Sequence, residues 1–325
     1  MKKIYVLGIL TLFLLPVIIY SLNSNIGVIR VETNSLRTSG YVELDNVITI
    51  DNNWSETVAM YSWCSGAGTE EEPYVIEGIS INSGTRGACI YIIDSAEYFI
   101  IRNCNLSNSI KLYSSDKFAG IYIEKAEFGI IENNTFYKDY IGVSIYEAEN
   151  VIIRYNEFIG SHNINETGYG RGVLVNEGKE MTITNNTFIN YYEGVVIFDS
   201  EDCYVDYNYI ENYLFEYVAE AGVSFINVNG GSITYNDFYG VISKTQNSTG
   251  LSTAGIGSNP ILLENCFNIA VYGNRFYDMN GNLIGSTDNP FFNIIIFVVL
   301  IGIGAIGFCI ILYKYKKNLE KKRTI

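Results

Sequence analysis

The stretch Gly120-Ile-Tyr-Ile-Glu-Lys-Ala-Glu-Phe-Gly-Ile-Ile-Glu-Asn-Asn-Thr-Phe136 decides the fold, because its frame returns along the chain. Gly120, Gly142, Gly172, Gly194 and Gly222 are each followed 14 residues later by an asparagine: Asn134, Asn156, Asn186, Asn208 and Asn236. Pro260 stands 14 before Asn274. Two residues past each asparagine comes Phe136, Phe158, Phe188, Ile210, Phe238 or Phe276. Two degenerate earlier copies put Cys104 with Leu106, and Ile79 with Ile81, in the same columns, which makes eight copies. Such a repeat outranks local propensity as a guide to architecture. Within a copy, apolar residues fall one and three places after the glycine (Ile121 and Ile123, Val143 and Ile145) and again eleven places after it (Ile131, Ile153, Ile183). A period of two broken by corners marks short strands with one buried face, and no segment between 41 and 285 carries a helical period. With 22 residues in a minimal copy, three short strands fit in each. The economical solution is an all-β chain wound into a single parallel β-helix of about eight coils, neighbours ~4.8 Å apart.

In a stack of this kind identical columns lie on one another. The phenylalanines predict an internal pile of rings. Asn134, Asn156, Asn186, Asn208, Asn236 and Asn274 predict an internal ladder of amides, because buried polar atoms must be satisfied by their neighbours. These asparagines are therefore structural and ligate nothing.

The Gly120-Ile-Tyr-Ile and Asn133-Asn-Thr-Phe136 rungs, with the opening Trp63-Cys-Ser-Gly-Ala-Gly-Thr-Glu-Glu-Glu-Pro-Tyr-Val-Ile-Glu-Gly78, resemble the right-handed parallel β-helix proteins of pectin-lyase-like fold, in particular their NosD-type branch. The resemblance covers residues 63 to 288. It implies a right-handed coil, in line with the general crossover rule, and says almost nothing of function. NosD-type relatives imply a role in copper-site maturation, which calls for soft or imidazole ligands. The chain offers only His162 and four scattered methionines, Met1, Met60, Met181 and Met279, so that role is disfavoured.

The ends read differently from the body. Lys2 and Lys3 precede an apolar run from Ile4 to Tyr20, the pattern of a secretory signal; no cleavage site is obvious, so an uncleaved anchor is the alternative. Phe291 to Tyr313 is 23 residues without a charge, enough to cross ~30 Å of hydrocarbon. Six basic residues follow within Lys314 to Arg323, which by the positive-inside rule puts the tail in the cytoplasm and the body outside. The expected organisation is a signal segment over 1–22, a cap region over 23–73, the β-helix over 74–284, a linker over 285–290, a transmembrane helix over 291–313 and a basic tail over 314–325. The chain carries a net charge of −14, and 13 basic against 34 acidic residues lie between 21 and 313. A body this acidic excludes nucleic acid, whose phosphates need clustered Lys and Arg. Six sequons, at Asn53, Asn105, Asn133, Asn165, Asn185 and Asn247, are glycosylation candidates compatible with export.

While the Gly-to-Asn distance is fixed, the return from Asn to the next Gly varies, so the longer segments 107–119, 160–171, 211–221 and 239–259 leave from one corner. One-sided insertions on a solenoid commonly form its binding face. The edge candidates are Tyr113, Asp116, Lys117, His162, Glu166, Tyr169, Arg171, Tyr213, Glu216, Tyr217, Glu220 and Lys244; the tyrosines offer apolar faces with polar handles for a sugar ring. A second candidate is the column five places after the glycine, Glu147, Glu177 and Asp199. Carboxylates stacked at ~4.8 Å repel by ~1 kcal/mol even in water. Ca²⁺ would relieve this with hard oxygen ligands, and so would splaying into solvent. An enzymatic relative is expected to show carboxylates with an Arg or Lys base on outward strand positions, or the paired acids of a glycosidase. Here the outward column reads Tyr91, Tyr122, Ser144, Leu174, Val196, Ser224 and Leu262, without a charge. Five body cysteines are read as buried thiols, with Cys89 facing outward and Cys64 with Cys89 the one pair worth testing as a disulfide. No catalytic residue is assigned. The expectation is a membrane-anchored surface protein that recognises carbohydrate or another surface protein, or serves as an envelope element. The alternative is a polysaccharide lyase or glycoside hydrolase of the same fold.

Overall fold

A computed structural model describes residues 40–110, 115–160, 170–212, 218–219, 221–240, 255–256 and 260–287. Each coil contributes one strand to each of three sheets. The first sheet runs through Ile48–Asp51, Ile90–Ser95, Ala119–Ala126, Ile141–Tyr146, Arg171–Asn176, Glu193–Phe198, Ala221–Ile226 and Ile261–Glu264. The second runs from Tyr74–Glu77 through Phe99–Arg102, Gly129–Glu132, Ile152–Arg154, Thr182–Thr184, Glu201–Asp206 and Asn229–Thr234 to Phe267–Tyr272. The third holds the strands that follow Cys104 and each ladder asparagine, from Asn105–Ser107 to Arg275–Tyr277. Pairing between coils is parallel and in the register the repeat predicts: Leu106, Phe136, Phe158, Phe188, Ile210, Phe238 and Phe276 are successive partners.

The phenylalanine pile is real. Phe136 and Phe158 stack at 4.5 Å with 4° between planes, and Phe158 and Phe188 at 4.6 Å. The pile also explains the glycine column. A Cβ on Gly120, Gly142 or Gly172 would meet the ring of Phe136, Phe158 or Phe188 at 2.4, 2.4 or 2.3 Å. Cys89 occupies the glycine column of an earlier coil, since its neighbour Ile90 pairs with Ile121. The ring of the later coils is replaced there by Leu106. Cys89 is thus fully buried in the core, not outward as expected.

The amide ladder runs unbroken. Asn134 Nδ2 donates to Asn156 Oδ1 (3.1 Å), Asn156 Nδ2 to Asn186 Oδ1 (3.0 Å), Asn186 Nδ2 to Asn208 Oδ1 (3.1 Å), and the chain continues through Asn236 to Asn274. Each Oδ1 also accepts a backbone N–H from the coil before it, as in Cys104 N to Asn134 Oδ1 at 2.9 Å. Thr287 closes the ladder, its Oγ1 accepting from Asn274 N at 2.9 Å. The residue before each position of this column turns the corner with a left-handed backbone: Asn103 before Cys104, and Asn133, Tyr155, Asn185, Tyr207 and Tyr235 before asparagines, have φ of 52 to 56°, and Gly273 before Asn274 has φ of 73°.

Two features depart from the sequence expectation. The stack begins before residue 74, since Val42–Leu44 pairs in parallel with Ile79–Asn82, and Ile48–Asp51 with Ile90–Ser95. Between this first coil and the rest lies a helix, α1 (Trp54–Met60), which no periodicity announced. Trp54 is 2 % exposed, stacks on Tyr74 at 5.0 Å and Phe99 at 5.6 Å, and donates through Nε1 to Ser95 Oγ at 2.8 Å. It plugs one end of the tube. Among the described residues no helix is long and apolar enough to cross a membrane; residues 1–22 and 291–313 lie outside them.

Candidate functional site

The variable corner joins the third sheet to the next strand of the first. Most edge candidates there, namely Tyr113, His162, Glu166, Tyr169, Tyr213, Glu216, Tyr217, Glu220 and Lys244, lie outside the described residues, as do the sequons at Asn165 and Asn247. Arg171 is described and is committed elsewhere. Its Nε donates to Glu193 Oε2 at 2.9 Å, and Ser224 Oγ donates to Glu193 Oε1 at 3.1 Å. Glu193 is 4 % exposed, so the guanidinium serves a buried carboxylate that needs a full set of partners.

Asp116 and Lys117 are exposed and open onto a pocket of about 320 Å³ with Tyr122, Glu124, Tyr146 and Asn176. Lys117 Nζ lies 3.1 Å from Glu124 Oε2 and 4.9 Å from the centroid of the Tyr122 ring, while Tyr122 Oη donates to Glu124 at 2.9 Å. The Lys117 bond holds Glu124 below the ordinary carboxylate range, and burial, followed by the Glu124 contact, pushes the Tyr122 hydroxyl up. A glutamate held charged and a phenol held protonated are fixed hydrogen-bonding groups. They are not matched for proton transfer near neutrality.

The outward column of the first sheet is uncharged, as read from the sequence, and its middle members are closed to solvent while Tyr91 and Leu262 at its ends are half-buried. Tyr122, Ser144, Leu174, Val196 and Ser224 are all at most 4 % exposed. Tyr122, Leu174 and Val196 join Ala88, Phe118, Ala119, Tyr140 and Ile141 in a second apolar cluster on the outside of the tube. Packed side chains occupy most of that face, and the pocket beside Asp116 and Lys117 reaches it at Ser144 and Leu174.

A larger open surface lies on the second sheet. A groove of about 660 Å³ has as its floor the outward residues Ile130, Ile152, Thr182 and Tyr204, which pair in register from coil to coil. One wall is a corner column in left-handed conformation, Phe128, Asn150, Glu180 and Asp202, with φ of 56, 55, 54 and 49°. Because every corner bends alike, these side chains are set along one line. At one end Tyr98 and Phe128 stack at 4.5 Å and 11°, with Glu70 beside them. Along the other side, ion pairs link neighbouring coils: Arg102 to Glu77 at 2.8 Å and Arg154 to Glu132 at 2.7 Å. The sequence held the signal. Ile130-Ile131 and Ile152-Ile153 are apolar at both alternate positions, which marks a strand with two apolar faces.

The family model described as a right-handed beta helix region matches residues 63–213. No curated protein matches the chain. The chain is a β-helix repeat protein.

In this β-helix the column of Glu147, Glu177 and Asp199 forms another left-handed corner, with φ of 50, 55 and 46°. Its ends are engaged: Lys125 Nζ is 3.9 Å from Glu147 Oε2, and Asn227 Nδ2 donates to Asp199 Oδ1 at 2.7 Å. Among the described residues no three His, Cys, Asp or Glu side chains converge as a metal site requires. Cys64, Cys89, Cys104 and Cys203 are buried free thiols, and Cys266 is a half-buried one. Of the described sequons, Asn53 and Asn185 are exposed, and Asn105 and Asn133 are half-buried on the outer surface of the β-helix.

Proposed function

We propose that the protein is a surface-displayed β-helix, anchored by residues 291–313 with its body outside the cell, that binds glycan chains along the groove of the second sheet without cleaving them. The observation that carries the reading is the groove itself. It is long, apolar-floored and walled by an amide and carboxylates, the combination that stacks sugar faces and fixes their hydroxyls. Its wall supplies Glu180 and Asp202 and its end Glu70; with a net charge of −14 on the chain, neutral chains fit it and uronic-acid polymers are repelled. The anchor is supported by the uncharged run Phe291 to Tyr313 and the basic tail behind it. The test is the full chain in detergent on a glycan array, beside Ile152→Glu, which puts a charge on the groove floor. Retention of neutral glycans is expected to fall by on the order of tenfold in the variant, equivalent to ~1.4 kcal/mol. Unchanged retention would remove the groove from the account. New reducing or unsaturated ends in the bound fraction would make the protein an enzyme.

A further inference from the structure

The two ends of the stack are built differently. Trp54 of α1 closes the first. At the other, the interior columns end, among the described residues, without a comparable plug. Val223, Phe225, Ile233 and Phe238 are fully buried, whereas their partners one coil later, Ile261, Leu263, Val271 and Phe276, are only partly covered, with Leu263 43 % exposed. The last strand, Leu283–Ser286, crosses antiparallel over the third sheet alone and leaves Leu283 at 60 % and Ile284 at 43 % exposure. One outward column changes character at the same level. It reads Glu127, Glu149, Lys179, Glu201 and Asn229 from coil to coil, and then Phe267, which is 68 % exposed. The terminal coil has one cation, Arg275, and both its Nε and Nη2 are bound by Asp237 at 2.6 Å.

Distance along the chain says what covers this end. Thr287 is fixed to the ladder by donating its N–H to Asn274 O at 2.9 Å. Phe291, where the uncharged run begins, follows after Asp288, Asn289 and Pro290. Four extended residues span at most ~14 Å. An apolar surface held that close to a membrane-spanning run is within reach of the headgroup zone. A patch with no unpaired cation among its described residues is suited to a zwitterionic surface and does not select an anionic one.

We propose that the open end of the β-helix docks on the bilayer that anchors it, the lipid interface taking the place of a protein cap over Leu263, Phe267, Leu283 and Ile284. The proposal rests on the reading of residues 291–313 as the membrane span, and the test separates the two. The full chain is reconstituted into phosphatidylcholine vesicles, with and without lipids brominated in the acyl chains, as wild type and as Phe267→Trp. The native Trp54 and Trp63 belong to the opposite end of the stack and supply the background emission. Docking predicts that bromolipid quenches the emission added by Phe267→Trp, and equally at high salt and with anionic lipid admixed. Leu283→Trp repeats the measurement from a second exposed position, so one poorly folding variant does not decide it. Protein that resists alkaline extraction yet shows no added quenching at either position would overturn docking and leave the anchor standing. Protein stripped from vesicles by alkali would overturn both. Unquenched emission together with an end-to-end cross-linked dimer would assign the surface to a second copy and refute the lipid assignment.

Discussion

Replacing Asn186 by leucine removes the central rung of the amide ladder, and the structure says what is stranded. Asn186 Oδ1 accepts from both the backbone N–H and Nδ2 of Asn156 at 3.0 Å, and its Nδ2 donates to Ile153 O at 2.9 Å, Thr184 O at 3.0 Å and Asn208 Oδ1 at 3.1 Å. Several partners keep alternatives. Asn156 Nδ2 still reaches Ile131 O and Arg154 O, and Asn208 Oδ1 still accepts from the backbone of residue 186. The Asn156 N–H has none, and a buried donor without an acceptor costs ~1–3 kcal/mol. Forcing a branched side chain between rungs adds overpacking of ~1 kcal/mol or more. The expected loss is about 2–4 kcal/mol, or roughly 4–16 °C in melting temperature for a domain of this size. Asn185 is the comparison, being exposed and outside the ladder, yet Asn185→Leu is not neutral. Its φ of 54° charges a leucine about 1–2 kcal/mol. The cleaner control is Asn185→Tyr, since Tyr155 and Tyr207 hold the same conformation in the same column, and Tyr207 stacks on Tyr235 at 5.0 Å. The assay is the β-sheet circular dichroism of the full chain in detergent during heating. If Asn186→Leu and Asn185→Tyr melted together, the buried ladder would not be holding the coils in register and the reasoning would fail.

Gly142→Ala would set a Cβ 2.4 Å from the Phe158 ring and 2.6 Å from Gly172 O, so a loss of about 2–3 kcal/mol in urea unfolding is expected; a neutral result would mean the pile yields. Asp139 is fully buried, accepts from Ser109 N at 2.8 Å, and is pushed by burial up to about 8. The unfolded chain releases this proton near pH 4 and the folded one holds it to about 8. Stability therefore falls as pH rises through that window, by up to ~1.4 kcal/mol per unit. Asp139→Asn should flatten this dependence and be the more stable form at pH 8; parallel pH profiles for the two proteins would contradict it. Arg171→Ala leaves Glu193 buried without its cation, and about 2–4 kcal/mol should be lost and partly restored by adding Glu193→Gln; no restoration in the double variant would mean the ion pair is incidental. Burial pushes the Cys104 and Cys203 thiols up to about 12, so at pH 8 maleimide should reach half-buried Cys266 first, as read by mass; early labelling of Cys104 would show that the core opens.

What the sequence discloses and what it hides follow from one steric relation. The 14-residue interval from Gly120 to Asn134 is legible because both of its ends are fixed from inside. The asparagine must meet the next amide, and the glycine must leave room for the ring two residues beyond that asparagine. The ring is not the whole constraint, since Gly194 stands before Ile210 with its Cβ position 2.7 Å from Gly222 O, while Cys89 is admitted before Leu106. The first coil carries neither marker, so Val42–Leu44 and Ile48–Asp51 become part of the stack only through their pairing with Ile79–Asn82 and Ile90–Ser95. Helix α1 spans seven residues, too few to show a period, and is held by one buried tryptophan. The groove hides for another reason. Alternation assigns Ile131 and Ile153 to the core and treats Ile130 and Ile152 as exceptions, yet an outward column repeated over successive coils is a surface, and the corners that align Phe128, Asn150, Glu180 and Asp202 beside it belong to backbone conformation. In a solenoid an apolar residue at an outward position carries meaning only when its neighbours one coil away are read with it, because each coil extends whatever face the previous one began. The same rule applied to the column ending in Phe267 separates its last member from the five polar residues before it, and it is that break in a column, more than the hydrophobicity of any one side chain, that distinguishes the open end from the rest of the stack.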